Sequence, residues 1–232
     1  MKNRKALSLA INAVLGSALL FGTAAATAHE AGDFIVRAGL ASVQPGNGNG
    51  PLDLNGAAIA NSSARVESDE ALGITATYMI SDHWGIELLA SSPFDHDITA
   101  DTGDLGFGVI NAGSTEHLPP TLSIQYFPMD NSSAWQPYVG LGVNYTLFFS
   151  EDVSSTLQGA VAPATLDIDD SIGIAAQVGV DYSIDEHWLV NAGIWYADIN
   201  ADATFTFNNG ATLSKDVDID PVVYMISVGY KF

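Results

Sequence analysis

Three sets of side chains in this 232-residue chain have types and spacing that could do chemistry. The first is catalytic in kind. Ser114 lies near His117, and Asp95-His96-Asp97 adds carboxylates, so the parts of a Ser/His/acid relay are present. The five histidines, His29, His83, His96, His117 and His187, are otherwise scattered, with neither an HExxH zinc helix nor a GxSxG nucleophile elbow. Common residue types in loops make a weak pattern, and the expectation is a protein that is not an enzyme and carries no cofactor.

The second set is acidic. Glu151-Asp152, Asp167, Asp169, Asp170 and the alternating Asp216, Asp218 and Asp220 offer oxygen-only ligands of the kind calcium and magnesium take. No loop has EF-hand spacing, so a solvated acidic face is the plainer reading, and the last three are the sole metal suggestion. The third set is apolar. Leu89, Trp195, Ile219, Val223 and Met225 are large side chains on strand faces otherwise given to small or polar residues.

The elements that position these groups begin after the N-terminus. Lys2, Arg4 and Lys5 precede an apolar run from Ala6 to Phe21, broken by Ser8, Asn12 and Ser17, and then Ala26-Thr27-Ala28. That order describes a secretory signal peptide over residues 1–28, cleaved after Ala28; a membrane anchor needs roughly 20 uninterrupted apolar residues. Removal leaves 4 basic against 27 acidic residues, 7 − 3 = 4, a formal charge of −23. Such a surface repels nucleic acid. The chain contains no cysteine, which excludes disulfides and thiolate metal sites.

No later apolar stretch approaches helical membrane-spanning length, so a bilayer protein built from this sequence must close its strands into a barrel. Period-two alternation supplies those strands. Leu72, Ile74, Ala76, Tyr78 and Ile80 alternate with Ala71, Gly73, Thr75, Thr77 and Met79. With the apolar set facing lipid, the same parity assigns strands to Phe34–Leu40, Trp84–Ser91, Thr121–Phe127, Tyr138–Phe149, Ile172–Tyr182, Trp188–Ile199 and Val217–Phe232. Arg37, Glu87 and Asp181 then point inward, where a charge is tolerable. The expected fold is all-β, an eight-stranded antiparallel transmembrane barrel over residues 29–232.

Short turns near Ser81-Asp82-His83, Pro128–Ala134 and Ser183–His187 alternate with long loops at Gln44–Asp69, Pro93–Glu116, Ser150–Asp170 and about Asn200–Asp216. Outer-membrane barrels place such turns in the periplasm, with both termini, and the loops outside. Trp84, Trp135 and Trp188 each follow a short turn, as an interfacial aromatic girdle requires. Val222, Tyr224, Ile226, Val228, Tyr230 and Phe232 alternate strictly. An aromatic terminus of this kind, Val228, Tyr230 and Phe232 above all, resembles the signal read by the outer-membrane assembly machinery. Asp216, Asp218 and Asp220 would lie above the apolar belt, at the level of lipopolysaccharide headgroups.

Several segments resemble the outer-membrane protein W (OmpW) family of eight-stranded barrels: His29-Glu30-Ala31-Gly32, Gly85–Ala90 with Pro93-Phe94, His117–Thr121, Pro137–Gly140, Gly179–Tyr182, Trp188–Asn191, Trp195-Tyr196 and the C-terminal strand. The resemblance implies a narrow, largely apolar lumen that passes small hydrophobic molecules across the outer membrane.

On this expectation Leu89 and Trp195 form a constriction, joined by Val223, Met225 and Ile219, and the lumen resists water and ions. Pro119 and Pro120 cannot donate to a neighbouring strand and mark a place where solute could leave sideways into the membrane. The alternatives are a structural barrel whose loops bind surface partners and, with less support, a lipid-modifying barrel enzyme using Ser114 and His117.

Overall fold

The computed structural model describes residues 29–46, 50–130 and 132–232; the signal segment 1–28 lies outside them. Strands follow in the order β1 (Phe34–Gln44), β2 (Asp53–Leu54), β3 (Ala57–Ala58), β4 (Ser63–Val66), β5 (Asp69–Ser81), β6 (Trp84–Ser91), β7 (Phe94–Asp101), β8 (Val109–Leu118), β9 (Thr121–Tyr126) and β10 (Trp135–Val153). A short helix α1 (Ser155–Ala160) precedes β11 (Ala164–Ile168), β12 (Ser171–Ser183), β13 (Trp188–Ala197), β14 (Asn200–Phe207), β15 (Thr212–Asp218) and β16 (Val222–Lys231).

Eight of these close on themselves in the order β12-β13-β16-β1-β5-β6-β9-β10, with β10 paired back to β12 and all neighbours antiparallel. Closure removes every edge, so each backbone group in the ring can find a partner without water. The outward residues are the expected ones: Leu40, Leu72, Ile86, Ile124, Leu141, Ile174 and Ile226 are among the exposed large apolar side chains of a continuous belt. At the end that carries both termini, Trp84 packs on Tyr126, Trp135 on Tyr182 and Trp188 on Tyr230, with ring centroids 4.8, 4.7 and 5.1 Å apart. Among the described residues no helix is long and apolar enough to cross a membrane.

Inside, bulky side chains are seated against glycines of adjacent strands. A Cβ at Gly140 would lie 2.7 Å from the Gln177 side chain, and one at Gly229 would lie 2.6 Å from Leu189. At Gly193 it would strike the ring of Trp195, two residues further along the same strand. Small residues therefore make room for a filled interior in a barrel of only eight strands.

Beyond the belt the wall continues, which corrects the loop assignments. The segments expected as long loops form strands: β4, β7 and β8 extend the sheet from the upper part of β10, and β11, β14, β15, β2 and β3 make a second sheet. Their outward residues are polar, with Asp95 and Asp97 exposed, so composition resembles that of a loop while the backbone is paired. Their inward residues, Leu52, Ile98, Ala112, Leu157, Leu166, Phe205 and Leu213 among them, form one apolar core. Six walls are interrupted where the ring meets this extension: at Glu67-Ser68, Ser92-Pro93, Pro119-Pro120, Asp169-Asp170, Asp198-Ile199 and 219–221. The expected single strand Val217–Phe232 is thus β15 and β16 with a break between them.

Candidate functional site

The lower lumen, nearest the termini, is closed by charge. Arg37 on β1 is 1% exposed and donates from Nε to Asp181 Oδ1 (2.9 Å) on β12 and from Nη1 to Thr77 Oγ1 (2.8 Å) on β5. Its Nη1 also lies 3.4 Å from Glu87 Oε2 on β6, and its Nη2 is paired with Asp181 Oδ2. His29 Nε2 (2.8 Å) and Asn191 Nδ2 (2.7 Å) complete the shell of Asp181. Arg37, Thr77, Glu87, Asp181 and Asn191 were placed inward by parity alone, whereas His29 precedes β1 and was not. Their meeting depends on strand stagger, which the sequence does not display.

A buried ion pair held by this many hydrogen bonds is hard to open, because removing one charge leaves the others unpaired in a low dielectric. Ile35, Met79, Phe127, Tyr138 and Leu189 pack as an apolar layer at the terminal end. An apolar solute has no route through this plug that does not first break it.

Above the plug, four of the five expected lumen residues share one cluster. Trp195 and Met225 are buried, and Leu89 and Val223 pack against them with Ala41, Val43, Ala71 and Phe94. Ile219 does not join this constriction; it lies in a second group with Ala175, Ala197, Ile199 and Phe148. Both groups adjoin an apolar cavity of about 60 Å³ that runs up into the extension, lined by Val43, Ile98, Phe148, Ile199, Phe205 and Ile219 among others.

Phe94 was missed because parity changes across Pro93. Inward positions on β6 are odd, Gly85 and Glu87, whereas on β7 they are even, Phe94, His96 and Ile98. Proline at the junction is the only sequence signal of the change.

The two prolines flagged as a weak wall stand at a real interruption. Ladder pairs between the third and fourth walls stop at Leu89↔Thr121 and resume at Phe94↔His117. Four residues on one side, 90–93, face three on the other, 118–120, so the ladder slips by one. On the opposite side the diproline is anchored: Asn144 Nδ2 donates to the Pro119 and Pro120 carbonyls (3.2 and 3.4 Å), and Tyr145 N–H donates to the Pro120 carbonyl (3.0 Å).

Just above the break, rings stack inward. Phe94 and His117 lie 5.4 Å apart, His117 and His96 4.8 Å apart with 15° between planes. Burial pushes the His96 imidazole below its ordinary value, against a hydrogen bond to the Glu67 carbonyl. The His117 imidazole is pushed down to about 3 by burial and then by His96. Ser114 and His117 sit on opposite faces of β8, so the suggested relay is not assembled.

Nor do Asp216, Asp218 and Asp220 converge. Asp216 is opposite Asp202, Asp218 is opposite Asn200, and Asp220 accepts a hydrogen bond from Ile199 N–H at the strand break. Among the described residues no group of three possible ligands could hold a metal ion. At the closing strand, Phe232 N–H donates to the Phe34 carbonyl (2.9 Å), Tyr230 packs on Phe232 and Val228 pairs with Ala38.

A closed antiparallel ring with an apolar exterior, an aromatic rim and a polar plug beneath an apolar chamber defines an outer-membrane β-barrel. The model of the OmpW family matches residues 30–232, and the chain belongs to that family. Outer membrane protein W of Vibrio cholerae is 44% identical over 224 residues, 97% of each chain. The crystal structure of OprG from Pseudomonas aeruginosa, 43% identical, superposes with a TM-score of 0.82 over 88% of this chain and 98% of that one. A more distant relative, 26% identical over 213 residues and covering 92% of this chain and 95% of its own, is the dibenzothiophene metabolism operon protein PahQ of Pseudomonas aeruginosa.

Proposed function

We propose that this chain is a passive channel that takes small hydrophobic molecules from outside the cell and releases them sideways into the outer membrane, with both termini in the periplasm. The observation that carries the reading is the coincidence of three features at one level. An apolar chamber adjoins, through Val43, the cluster of Leu89, Trp195, Val223 and Met225; the lumen nearer the termini holds Arg37 and its carboxylates; and the wall beside His96 and His117 of the chamber lining is broken at Ser92-Pro93 and Pro119-Pro120.

A molecule that is stable in the chamber gains nothing by crossing a charged plug and loses little by stepping through the wall into hydrocarbon. The name of PahQ fits such a solute, since dibenzothiophene is an apolar aromatic. In the same reading Phe232, Tyr230 and Val228 address the chain to the assembly machinery, and the acidic rim at Asp216 and Asp218 meets lipopolysaccharide through bridging cations.

The test is a reversible cross-link. Cysteines at Ser92 and Pro119, on either side of the break, should leave uptake of an apolar aromatic by intact cells unchanged when reduced and lower it several-fold when oxidised. Uptake that ignores oxidation, with the disulfide verified by mass, would remove lateral release.

A further inference from the structure

At about 60 Å³ the chamber is smaller than the solutes it has to pass. An apolar cavity that takes up benzene measures about 150 Å³. Cargo therefore enters only by displacing side chains of the lining, and these differ in how firmly they are held. Much of the lining belongs to the packed core of the extension. Beside the wall break it is instead a band of rings. Phe94, His117 and Phe148 stand directly opposite one another on β7, β8 and β10, and His96 joins them from β7.

His117 is the centre of the band. Its ring centroid lies 4.8 Å from that of His96, 5.4 Å from that of Phe94 and 5.7 Å from that of Phe148, with 15°, 23° and 36° between planes. His96, His117 and Phe148 line the chamber, while Phe94 packs with Leu89, Trp195, Val223 and Met225. The residues that follow His117 are 118–120, one edge of the break. A solute moving from chamber to break has to pass these rings.

Anchoring within the band is uneven. His96 Nδ1 is fixed by the Glu67 carbonyl (2.6 Å), whereas His117 Nδ1 is buried without a hydrogen-bond partner. Turning the His117 ring aside breaks no hydrogen bond at that nitrogen. What it forfeits is ring contact with Phe94, His96 and Phe148. A flat aromatic solute in the vacated place restores that contact through its own π face, and a saturated solute does not.

We propose that His117, with Phe94, His96 and Phe148, is the specificity filter of the channel, and that the preferred cargo is a small planar aromatic rather than an aliphatic hydrocarbon. This rests on the channel reading above and names its substrate class. The cargo exchanges with the His117 ring, stacking for stacking, and stands at the break when the exchange is complete. An aliphatic molecule opens the same band without compensation.

Naphthalene and decalin, with the same ten carbons in two fused rings, separate the possibilities. Each is supplied at equal fractional saturation to intact cells carrying the full chain, and uptake above that of barrel-free cells is followed by gas chromatography. Naphthalene should enter roughly two- to ten-fold faster than decalin. His117→Phe should keep that margin, because the ring is kept, and His117→Leu should erase it while both solutes still pass. Decalin is the thicker molecule, and a margin set by thickness alone would survive His117→Leu.

Should His117→Leu fail to fold, judged by loss of the compact band on an unheated gel, Phe94→Leu and Phe148→Leu serve instead. Each removes one ring contact, and each should narrow the margin. Equal entry of the two hydrocarbons, or a margin untouched by every folded leucine variant, overturns the aromatic preference and leaves the channel standing. If neither solute enters faster than into barrel-free cells, the channel reading falls with the inference.

Discussion

Arg37 is worth most through what its loss would strand. Asp181 and Glu87 are as deeply buried as the guanidinium that bridges them, so Arg37→Met leaves two buried carboxylates without their guanidinium, Asp181 keeping only His29 and Asn191. Breaking a buried pair in this way typically costs about 3–5 kcal/mol. The expected result is a large drop in the urea midpoint of the refolded barrel. Adding Glu87→Gln and Asp181→Asn should restore much of it, because the stranded charges are gone.

His117 behaves differently. Its folded-state value of about 3 lies below the ordinary 6.5, so between those limits the unfolded chain binds a proton that the folded one does not. Stability conferred by the neutral imidazole is therefore present above about 6.5 and is lost as pH falls toward 3. Near-UV circular dichroism should show the extension loosening through that window. His117→Phe should flatten the dependence, whereas a wild-type profile level from pH 7 to 4 would contradict it.

At the scale of elements, the third wall carries one residue more than the fourth at the break, 90–93 against 118–120. Deleting Ser92 makes the counts equal. Parity from β6 then runs unbroken into β7 with Phe94 and His96 still inward, so the ladder can close without turning any core side chain to the outside. The deletion should raise the protection of backbone amides at 118–121 against hydrogen exchange and reduce solute uptake. Uptake equal to that of the unaltered chain would mean that the slip is no opening.

The same elements show what could be read beforehand. Alternation identified all eight walls, put Arg37, Glu87 and Asp181 inside, and gathered Leu89, Trp195, Val223 and Met225 on one lumen, since side-chain direction is a property of one strand. The meeting of Arg37 with Asp181 was not legible, because stagger is a property of pairs. Phe94 was missed because one added residue inverts parity. The strands β7, β8, β14 and β15 were taken for loops because polar residues cover their outer faces where lipid ends.

At the scale of the whole molecule, two separately packed regions share one wall. The extension's core, with Leu157 and Phe205, is distinct from the barrel's clusters around Trp195 and Leu189. Leu157→Ala should cost about 2–5 kcal/mol locally by the cavity it leaves. Protease should then cut between 154 and 163 while the eight-stranded ring keeps its heat-modifiable migration on gels. Loss of that migration would show that the regions fold as one.

The polar plug also has a consequence for the cell that makes this protein. In the proposed channel, the buried pairs of Arg37 with Asp181 and Glu87 leave no file of water at that level, so sugars, salts and hydrophilic toxins would gain no passage from an added copy. Abundance is then decoupled from leakage. A bacterium could crowd its surface with such barrels when apolar nutrients are scarce and keep the sieve that its outer membrane provides.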